Sequence, residues 1–404
     1  MLLNNGLAGG LPSIILASVT TDEAGFDLLA GEWDQLVDDS DQRVYFLRWA
    51  WNRLWWRFFR PRGGRLFLIT CRDEHGRLVG LAPFYLKQRS TAGIPHIREV
   101  LFIGTGVYAR TSEYLDIIAR RGCERAVADS VAEFLHGSGE WDRLWLDEVP
   151  SRSAVLPHFR QALGGQAQVA ACSRSHYIDA TTDWETFKQG LSRSTRKHLT
   201  RQTRRFSESF NCRFQRVETV EELAPAIDAL VKLHQARWTS KGEPGAFALP
   251  GMEELLRGAA RAGLAEGRLR LWTLKLDGRI VAVRIAFLDN GVVHAIQGGF
   301  DPAYTKESLG SVMLGLCIKD CIEDESVREY DFMGGTDSYK DWWSKNGRET
   351  VALTCLRSGI RSAAYNSIGR ASVLGKSLLR ATVPRPVRRA GHKILERRHY
   401  SRAV

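Results

Sequence analysis

The chain has 404 residues, of which 44% are hydrophobic and 25% are charged, so its composition is that of an ordinary folded protein with room for two domains. No apolar run reaches the roughly 18 residues that a membrane-spanning helix needs, and seven scattered cysteines argue against a disulfide framework. The net charge of +11 is concentrated in residues 360–404, which contain 11 Lys or Arg and one acid.

In chain order, the first predicted elements are a short apolar strand at residues 11–17 and a hairpin at residues 65–86. A second hairpin at residues 269–288 repeats the order of strand, tight turn and strand, and its Asp277-Gly278 pair is a strong turn signal. Two matched hairpins this far apart indicate a duplicated α/β unit rather than a solenoid.

Each hairpin is followed by alternating strands and helices. The first copy continues with strands at 98–104 and 114–119, a helix at 124–136 and a strand at 142–149. The second copy continues with a strand at 292–300, a helix at 307–324 and a strand at 328–333. We therefore predict an α/β (α+β) fold of mixed sheets flanked by helices. The predicted domains are residues 1–180 and 181–358, followed by a basic tail at 359–404 with helix candidates at 361–380.

A basic helix is predicted between the copies, at residues 191–210, and it is followed by another helix at 220–238. The basic helix carries cations at four-residue spacing: Arg193, Lys197, Arg201 and Arg205. Two interpretations are open, namely a solvated helix face or a surface for an anionic polymer, a phosphorylated acceptor or RNA. The tail is similarly suited to an anionic membrane surface or polymer. We interpret the protein as cytoplasmic, with peripheral contact at the inner membrane face as a role for this tail.

The segment DFMGGTDSYKDWW, residues 331–343, places an acid inside a strand and then two glycines before a polar, aromatic turn. Glycine lets backbone pass close to a ligand, and such edges between strand and loop often carry function. This segment is therefore a candidate wall of a binding site.

Together with GGFDPAYTKESLGSVMLG, residues 298–315, this segment resembles the CelD-like branch of the GNAT acyltransferase superfamily. That branch is similar to the Fem-type peptidyl transferases, which carry two GNAT units. The resemblance is best over residues 180–345, and it implies that the second unit is catalytic while the first is a degenerate copy that shapes the acceptor cleft.

The resemblance implies a donor site for acetyl-CoA or another acyl-CoA. A helix N-terminus offers free amide donors and a partial positive charge to a diphosphate. The implied donor-binding residues form two groups, one on the strand and one at the helix start: Gln297, Gly298, Gly299, Phe300, and Ser308, Leu309, Gly310, Ser311.

The acyl transfer implied by the resemblance proceeds by direct attack of an amine on the thioester, so protons must be moved. Asp331 and Tyr339 are the candidates for this task. Lys340, Arg237 and Trp238 are candidates for substrate contact. For Asp331 a structural carboxylate is an open alternative, and His294 is interpreted as a core residue.

We expect an N-acyltransferase that acts on a small-molecule or saccharide acceptor, with a sugar or polysaccharide precursor as the family analogy, and without a metal. O-acyl transfer is also open. Two other hypotheses remain: a non-catalytic GNAT-fold module that binds an anionic polymer or membrane, and a Fem-like transferase that uses aminoacyl-tRNA. Nucleic acid is the less favoured partner, since no RNA-binding aromatic motif accompanies the basic segments. The sequence leaves the oligomeric state open.

Overall fold

The computed structural model describes residues 15–91, 94–107, 110–335 and 338–359, which form a mixed α/β structure. The described strands are β1 (Leu16–Thr20), β2 (Arg65–Arg72), β3 (Leu78–Thr91), β4 (Ile94–Phe102), β5 (Ile118–Ala119), β6 (Arg143–Pro150), β7 (Gln168–Asp179), β8 (Cys212–Arg216), β9 (Leu269–Leu276), β10 (Arg279–Asp289), β11 (Val292–Phe300), β12 (Glu329–Asp331) and β13 (Gly347–Leu356). The described helices are α1 (Glu23–Leu28), α2 (Ala30–Asp39), α3 (Trp49–Phe59), α4 (Glu124–Ser138), α5 (Leu156–Leu163), α6 (Trp184–Gly190), α7 (Arg193–Ser209), α8 (Val220–Thr239), α9 (Met252–Ala265) and α10 (Leu309–Glu323).

The strands form one continuous sheet, in the order β1-β2-β3-β4-β6-β13-β7-β12-β11-β10-β9-β8, with β5 paired to β3 outside this path. We call β1–β6 with α1–α5 the first unit, and β8–β12 with α7–α10 the second unit. Strand β7 connects them, because it pairs with β13 over residues 168–176 and with β12 over residues 177–179. Strand β13 lies between β6 and β7, antiparallel to both, although it follows the second unit in the sequence.

The mixed α/β fold class is confirmed, and so is the pair of matched hairpins, as β2–β3 and β9–β10. Asp277 and Gly278 have φ values of 49° and 81°, as the favoured two-residue hairpin turn requires. The strand predicted at residues 114–119 is wrong over most of its length, since only Ile118–Ala119 is a strand. The reason is that Tyr114 has a φ of 57°, in the left-handed region that an extended strand does not use.

Helix α3 anchors the core of the first unit. Its sequence WAWNRLWWRFF buries Trp51, Trp55, Trp56 and Phe59 on one face, at the spacing of a helix that packs against a sheet. Two of these indoles reach the loop before β5, since Trp51 Nε1 donates to Ser112 Oγ and Trp55 Nε1 donates to Thr111 Oγ1, both at 2.8 Å. The loop at residues 111–113 is thereby held against the core.

The two units are packed together through both apolar and charged contacts. Tyr45 stacks on Phe287 with ring centroids 4.0 Å apart. Beside this pair, Arg48 donates to both carboxylate oxygens of Asp289 at 2.6 and 2.8 Å, and Arg268 lies 2.9 Å from the same carboxylate. Arg48 and Asp289 are both buried, so the ion pair belongs to the core that the units share.

Within the described residues, no helix combines the length and the apolar content that crossing a membrane requires. The basic tail, apart from its first residue, lies outside the described residues, and so do the helix candidates at 361–380. The predicted domain boundaries stay a prediction, and the position of β13 means that the sheet of the first unit includes a strand from the second predicted domain.

Candidate active site

A cleft opens where strands β11 and β12 diverge. The two strands pair in parallel over only three residues each, 292–294 with 329–331. On its other side β11 pairs with β10, where Ala286 faces Ala295 and Ile285 faces Gln297, so Ile296 is the extra residue of a β-bulge. A bulge bends its strand, and here β11 turns away from β12. The space between the strands is a cavity of about 670 Å³, within the usual range for a small-molecule site.

Seven of the eight predicted donor-binding residues line this cavity: Gln297, Gly298, Gly299, Phe300, Ser308, Gly310 and Ser311. The eighth, Leu309, is fully buried in the core of the second unit. The structure therefore brings the end of β11 and the start of α10 to one wall, and Leu309 packs behind that wall. Their role in donor binding stays a prediction.

Two of these glycines are required by packing. A Cβ atom on Gly299 would lie 2.5 Å from the backbone nitrogen of His234, so β11 and α8 approach each other too closely for any side chain there. A Cβ atom on Gly310 would lie 2.8 Å from the ring of Phe300. Gly298 is less confined, because its nearest neighbour would be the Arg284 guanidinium at 3.4 Å.

The N-terminus of α10 faces the cavity. Its N-cap, Ser308, has a left-handed φ of 59° and provides no side-chain hydrogen bond to the helix. The first amides of a helix carry part of the positive end of its dipole, and as a rule they lack partners within the helix. In α10 the N–H of Ser311 already donates to the Ser308 carbonyl oxygen at 2.9 Å, and the N–H of Ser308 donates to the Thr305 carbonyl oxygen, so the N–H groups of Leu309 and Gly310 are the candidates for binding a ligand. The α10 start is thus able to bind an anionic group.

The wall of the cleft opposite β11 is the segment after β12, residues 332–335, which we call the lip. Lys340 bonds to the backbone of this lip. The Lys340 ammonium is buried and donates to the carbonyl oxygens of Met333 and Gly334 at 2.8 and 2.7 Å. Met333 has a left-handed φ of 60°, which is costly for a residue with a long side chain. Lys340 lines the cavity, but these contacts show it supporting the backbone of the lip.

Asp331 is fully buried and lies outside the cavity lining. Its carboxylate accepts hydrogen bonds from the Tyr114 hydroxyl at 2.8 Å and from the backbone N–H of Met333 at 2.7 Å. Arg348 lies 3.7 Å away. These contacts favour the structural alternative for Asp331, with the carboxylate fixing the turn into the lip.

Tyr339 lines the cavity and is partly exposed. It lies beside the guanidinium of Arg284, which also donates to the Tyr330 hydroxyl at 2.7 Å. Tyr339 is thus a phenol at the cavity wall next to a fixed cation, and its role in proton transfer stays a prediction.

Arg237 and Trp238, at the end of α8, lie on the outer part of the cavity. The Arg237 guanidinium lies 4.9 Å from the ring centroid of Phe300 and 5.8 Å from that of Trp238. Such cation–π contacts hold a cation and an aromatic face side by side, so the predicted acceptor-binding pair shares the cavity with the predicted donor-binding residues.

Sequence reasoning missed two residues that the first unit contributes, Arg110 and Glu113. Glu113 Oε2 accepts a 2.7 Å hydrogen bond from the N–H of Gly334. Burial, followed by repulsion from the Glu148 carboxylate, raises the pKa of Glu113 to about 7. In the sequence, Glu113 directly precedes the apolar run at 114–119. An acid next to apolar residues is also the feature that makes Asp331 a candidate.

Two buried histidines lie near the cleft. Burial lowers the pKa of His234 on α8 to about 4, and its ring packs edge-on against Phe247 with centroids 5.0 Å apart. Burial also lowers the pKa of His294, which is 2% exposed and lies outside the cavity lining. Burial thus favours the neutral form of both rings, in agreement with the interpretation of His294 as a core residue.

A second cavity, of about 860 Å³, adjoins the first and shares Ser308 and Ser311 with it. Its far wall is the start of α7, including Lys197 and Arg201, and its rim includes Trp342, which is 59% exposed. The predicted basic helix is confirmed as α7, with Leu199 and Phe206 buried and its cations facing outward. Within the described part of the chain, no group of three or more His, Cys, Asp or Glu residues is arranged to hold a metal ion.

Part of the chain matches a known protein family. Residues 193–341 match the family model of the acetyltransferase (GNAT) domain, a stretch that contains both strands of the cleft and the basic helix. None of the curated protein sequences compared with the chain matches it.

Solved structures with a similar fold cover most of the chain. The crystal structure of FemX aligns with 84% of this chain and 98% of its own, with 10% identity and a TM-score of 0.56. The structure of L-PGS from Bacillus licheniformis aligns with 85% of this chain and 95% of its own, with 11% identity and a TM-score of 0.51. A conserved protein of unknown function from Bacteroides thetaiotaomicron covers 84% and 100%, with 9% identity and a TM-score of 0.50. At these identities the likeness concerns the fold alone: residues 193–341 match the model of a GNAT acetyltransferase domain, and the overall fold of the chain is similar to that of FemX.

Proposed function

We propose that the protein is an N-acyltransferase of the CelD-like branch that transfers an acyl group, most simply acetyl, from coenzyme A to an amine. The observation that carries this proposal is the shape of the cleft. One continuous cavity joins the N-terminus of α10 at Ser308–Ser311 to the diverging ends of β11 and β12. A donor with a diphosphate at one end and a thioester at the other fits such a cavity.

The donor diphosphate would bind the amides at the start of α10, where the helix dipole favours negative charge. Ser308 and Ser311 also line the second cavity, so a nucleotide attached to the diphosphate would extend toward Lys197 and Arg201. The two cavities meet at the start of α10, and they would hold the two arms of coenzyme A.

The acyl arm would lie along the edge of β11 that no longer pairs with β12. A strand edge presents unpaired N–H groups. Residues 295–300 still pair with β10 on their other side, so the N–H groups among them that point away from β10 would polarise the thioester carbonyl. Donors directed at a developing oxyanion typically lower a barrier by about 3 kcal/mol. On the opposite lip, the pantetheine chain would pass along the exposed backbone of Gly335, because Arg110 and Glu113 occupy the space beside Gly334.

Tyr339 is the proposed proton donor to the departing thiolate. The amine nitrogen forms a bond to the thioester carbon, the carbon–sulfur bond breaks, and the Tyr339 hydroxyl protonates the sulfur. The nitrogen loses one proton to solvent as the amide forms, and solvent restores the proton to Tyr339. Arg284, beside the Tyr339 hydroxyl, keeps that hydroxyl in place, and Lys340 maintains the lip.

The acceptor would enter over Arg237 and Trp238, at the outer part of the cavity. An aromatic face next to a guanidinium suits a polar acceptor of sugar size. An amino sugar or a polysaccharide precursor is therefore the proposed acceptor class.

A second candidate, transfer from aminoacyl-tRNA, is favoured by the basic face of α7. Exposed cations follow this face toward the second cavity: Arg193, Lys197, Arg201, Arg204 and Arg205. Such a face would bind a nucleic acid with strong salt dependence, whereas a coenzyme A donor needs few phosphate contacts.

Acetyl-CoA binding to the purified protein, measured by calorimetry and by the shift in melting temperature, tests the proposal. Ser311→Asp places a carboxylate where the diphosphate would bind and should lower the affinity at least tenfold, while the uncharged isostere Ser311→Asn should bind nearly as the original protein does. A panel of amines, including glucosamine, should then release free coenzyme A thiol. Absence of acetyl-CoA binding at millimolar concentration, together with salt-dependent binding of tRNA, would overturn the proposal in favour of the second candidate.

A further inference from the structure

We propose that Glu113, a residue of the first unit, is the general base that removes the proton from the attacking amine. This inference rests on the proposed function and adds to it, because it makes the first unit part of the catalytic machinery rather than a scaffold alone.

The position of Glu113 supports this role. Its side chain lines the cavity, and Oε2 accepts the 2.7 Å hydrogen bond from the N–H of Gly334 on the lip. A Cβ atom on Gly334 would meet the Arg110 guanidinium first and would lie 3.0 and 3.1 Å from the two carboxylate oxygens of Glu113, so both side chains rest directly against the lip backbone. An amine that attacks a thioester between β11 and β12 arrives at this point.

The set of residues that line the first cavity also singles out Glu113. Among the described residues that line the first cavity, it is the one carboxylate. Asp331 is buried behind the lip with its oxygens bonded to Tyr114 and Met333, so it lacks access to the amine. Glu113 is mostly buried yet has a surface on the cavity, which is the setting of a general base rather than of a solvated acid.

The charges around Glu113 come from both units. Arg110 lies 3.6 Å from Glu113 Oε1 but bonds more closely to Glu148, at 3.0 Å. Glu148, Asp331 and the Tyr114 hydroxyl are the other acidic groups that face it, and Ser175 Oγ lies 3.4 Å from Oε2. Burial and the Glu148 carboxylate outweigh Arg110, so the pKa of Glu113 is raised to about 7. A base with this pKa is efficient near neutral pH.

The backbone around Glu113 is held in costly conformations. Tyr114, Glu148 and Met333 all have left-handed φ values, between 57° and 60°, without being glycine. Such residues persist only where surrounding contacts fix them, and they cluster at functional sites. Here the contacts are the indoles of Trp51 and Trp55 on the preceding Ser112 and Thr111. The core of the first unit therefore holds the Glu113 carboxylate at the cleft.

In the proposed step, the ammonium of the acceptor gives one proton to the Glu113 carboxylate and the free amine attacks the thioester carbon. The tetrahedral intermediate collapses with loss of the thiolate, and the Tyr339 hydroxyl protonates the sulfur. The second proton of the nitrogen leaves to solvent as the amide forms, and solvent returns a proton to Tyr339. The products are the amide, coenzyme A thiol and one proton, which Glu113 passes to solvent.

Glu113→Gln tests the assignment, because it keeps the shape and removes the base. The measurement is thiol release from acetyl-CoA with the best amine of a panel that contains glucosamine, ethanolamine and spermidine. We expect acetyl-CoA affinity within threefold of the original, kcat at least a hundredfold lower, and loss of the acidic limb of the pH profile of kcat/KM. Glu148→Gln, which removes the neighbouring negative charge, should retain turnover and move that limb to lower pH.

The outcomes separate the two proposals. An original protein that fails to bind acetyl-CoA overturns the proposed function, while binding without acylation of any amine overturns both. Unchanged turnover and pH profile in folded Glu113→Gln overturn the role of Glu113 alone. If Glu113→Gln fails to fold, the pH profile of Glu148→Gln decides. An acidic limb that does not move in that variant also overturns the role of Glu113.

Discussion

The backbone N–H of Gly334 donates a 2.7 Å hydrogen bond to the carboxylate of Glu113, although the two residues are 221 positions apart in the chain. This contact joins the first unit to the lip of the cleft in the second. The lip is therefore bound from both sides, by Glu113 on its N–H and by Lys340 on its carbonyl oxygens.

Glu113 should make stability depend on pH. Its folded-state pKa of about 7 lies above the ordinary 4.5, so the folded protein holds this proton more tightly than the unfolded chain does. Its favourable contribution is complete below pH 4.5 and is lost as pH rises to about 7. Glu113→Gln should thus gain up to about 3 kcal/mol relative to the original protein between pH 4.5 and pH 8. Urea unfolding at both pH values measures this, and Glu133→Gln, at an exposed site on α4, should show no such gain.

Lys340→Met should weaken the lip. The substitution keeps the length of the side chain but leaves the carbonyl oxygens of Met333 and Gly334 without their donor, and bonds to a charged group contribute about 1.5–3 kcal/mol. We expect a loss of this size in the free energy of unfolding, together with weaker acetyl-CoA binding. Lys345→Met, at an exposed lysine five residues later, should cost less than about 0.5 kcal/mol. Equal losses in the free energy of unfolding for the two substitutions would contradict the supporting role of Lys340.

Gly299 and Gly298 offer a matched pair. Gly299→Ala places a methyl group 2.5 Å from the backbone of α8, which must move, whereas Gly298→Ala meets its nearest atom at 3.4 Å. Forced repacking costs about 1–3 kcal/mol, so we expect that loss for Gly299→Ala and a smaller one for Gly298→Ala. Thermal unfolding followed by circular dichroism compares them, and a reversed order would show that α8 does not pack on β11 as described.

The buried ion pair between the units should be costly to break. Arg48→Ala leaves Asp289 buried with Arg268 as its remaining cation, and removal of one partner of a buried pair typically costs 3–5 kcal/mol. Arg125→Ala, in an exposed pair with Asp129 on α4, should cost at most about 0.5 kcal/mol. Chemical denaturation of both variants tests the contrast, and a loss of under 1 kcal/mol for Arg48→Ala would mean that the shared core does not depend on this pair.

Local patterns in the sequence were enough to predict the central elements of the second unit. Strand β11 was predicted with its observed bounds, and α10 within two residues at each end. These segments carry a clear period and glycine signals, which depend on neighbours a few residues away. The residues that the family resemblance implied for donor binding, except Leu309, lie together at one cavity, because β11 and α10 are close neighbours in the sequence.

Local sequence patterns do not predict contacts between distant segments of the chain. Nothing near Glu113 in the sequence indicates that it meets Gly334, because the indoles of α3 set its position. From the sequence, Lys340 is a candidate for substrate contact. In the structure its ammonium donates instead to the backbone carbonyl oxygen of Met333 in the lip. The insertion of β13 between β6 and β7 is likewise decided by the packing of the whole sheet.

That insertion has a consequence for how the protein is made. Until residue 356 has left the ribosome, β6 and β7 both present open hydrogen-bonding edges, which are prone to pair with other chains. The N-terminal part therefore cannot reach its final form during synthesis ahead of the C-terminal part, as independent domains do. Completion of the shared sheet is thus a late step, and a gene cut between residues 180 and 181 would yield an N-terminal fragment that lacks the strand β13 between β6 and β7.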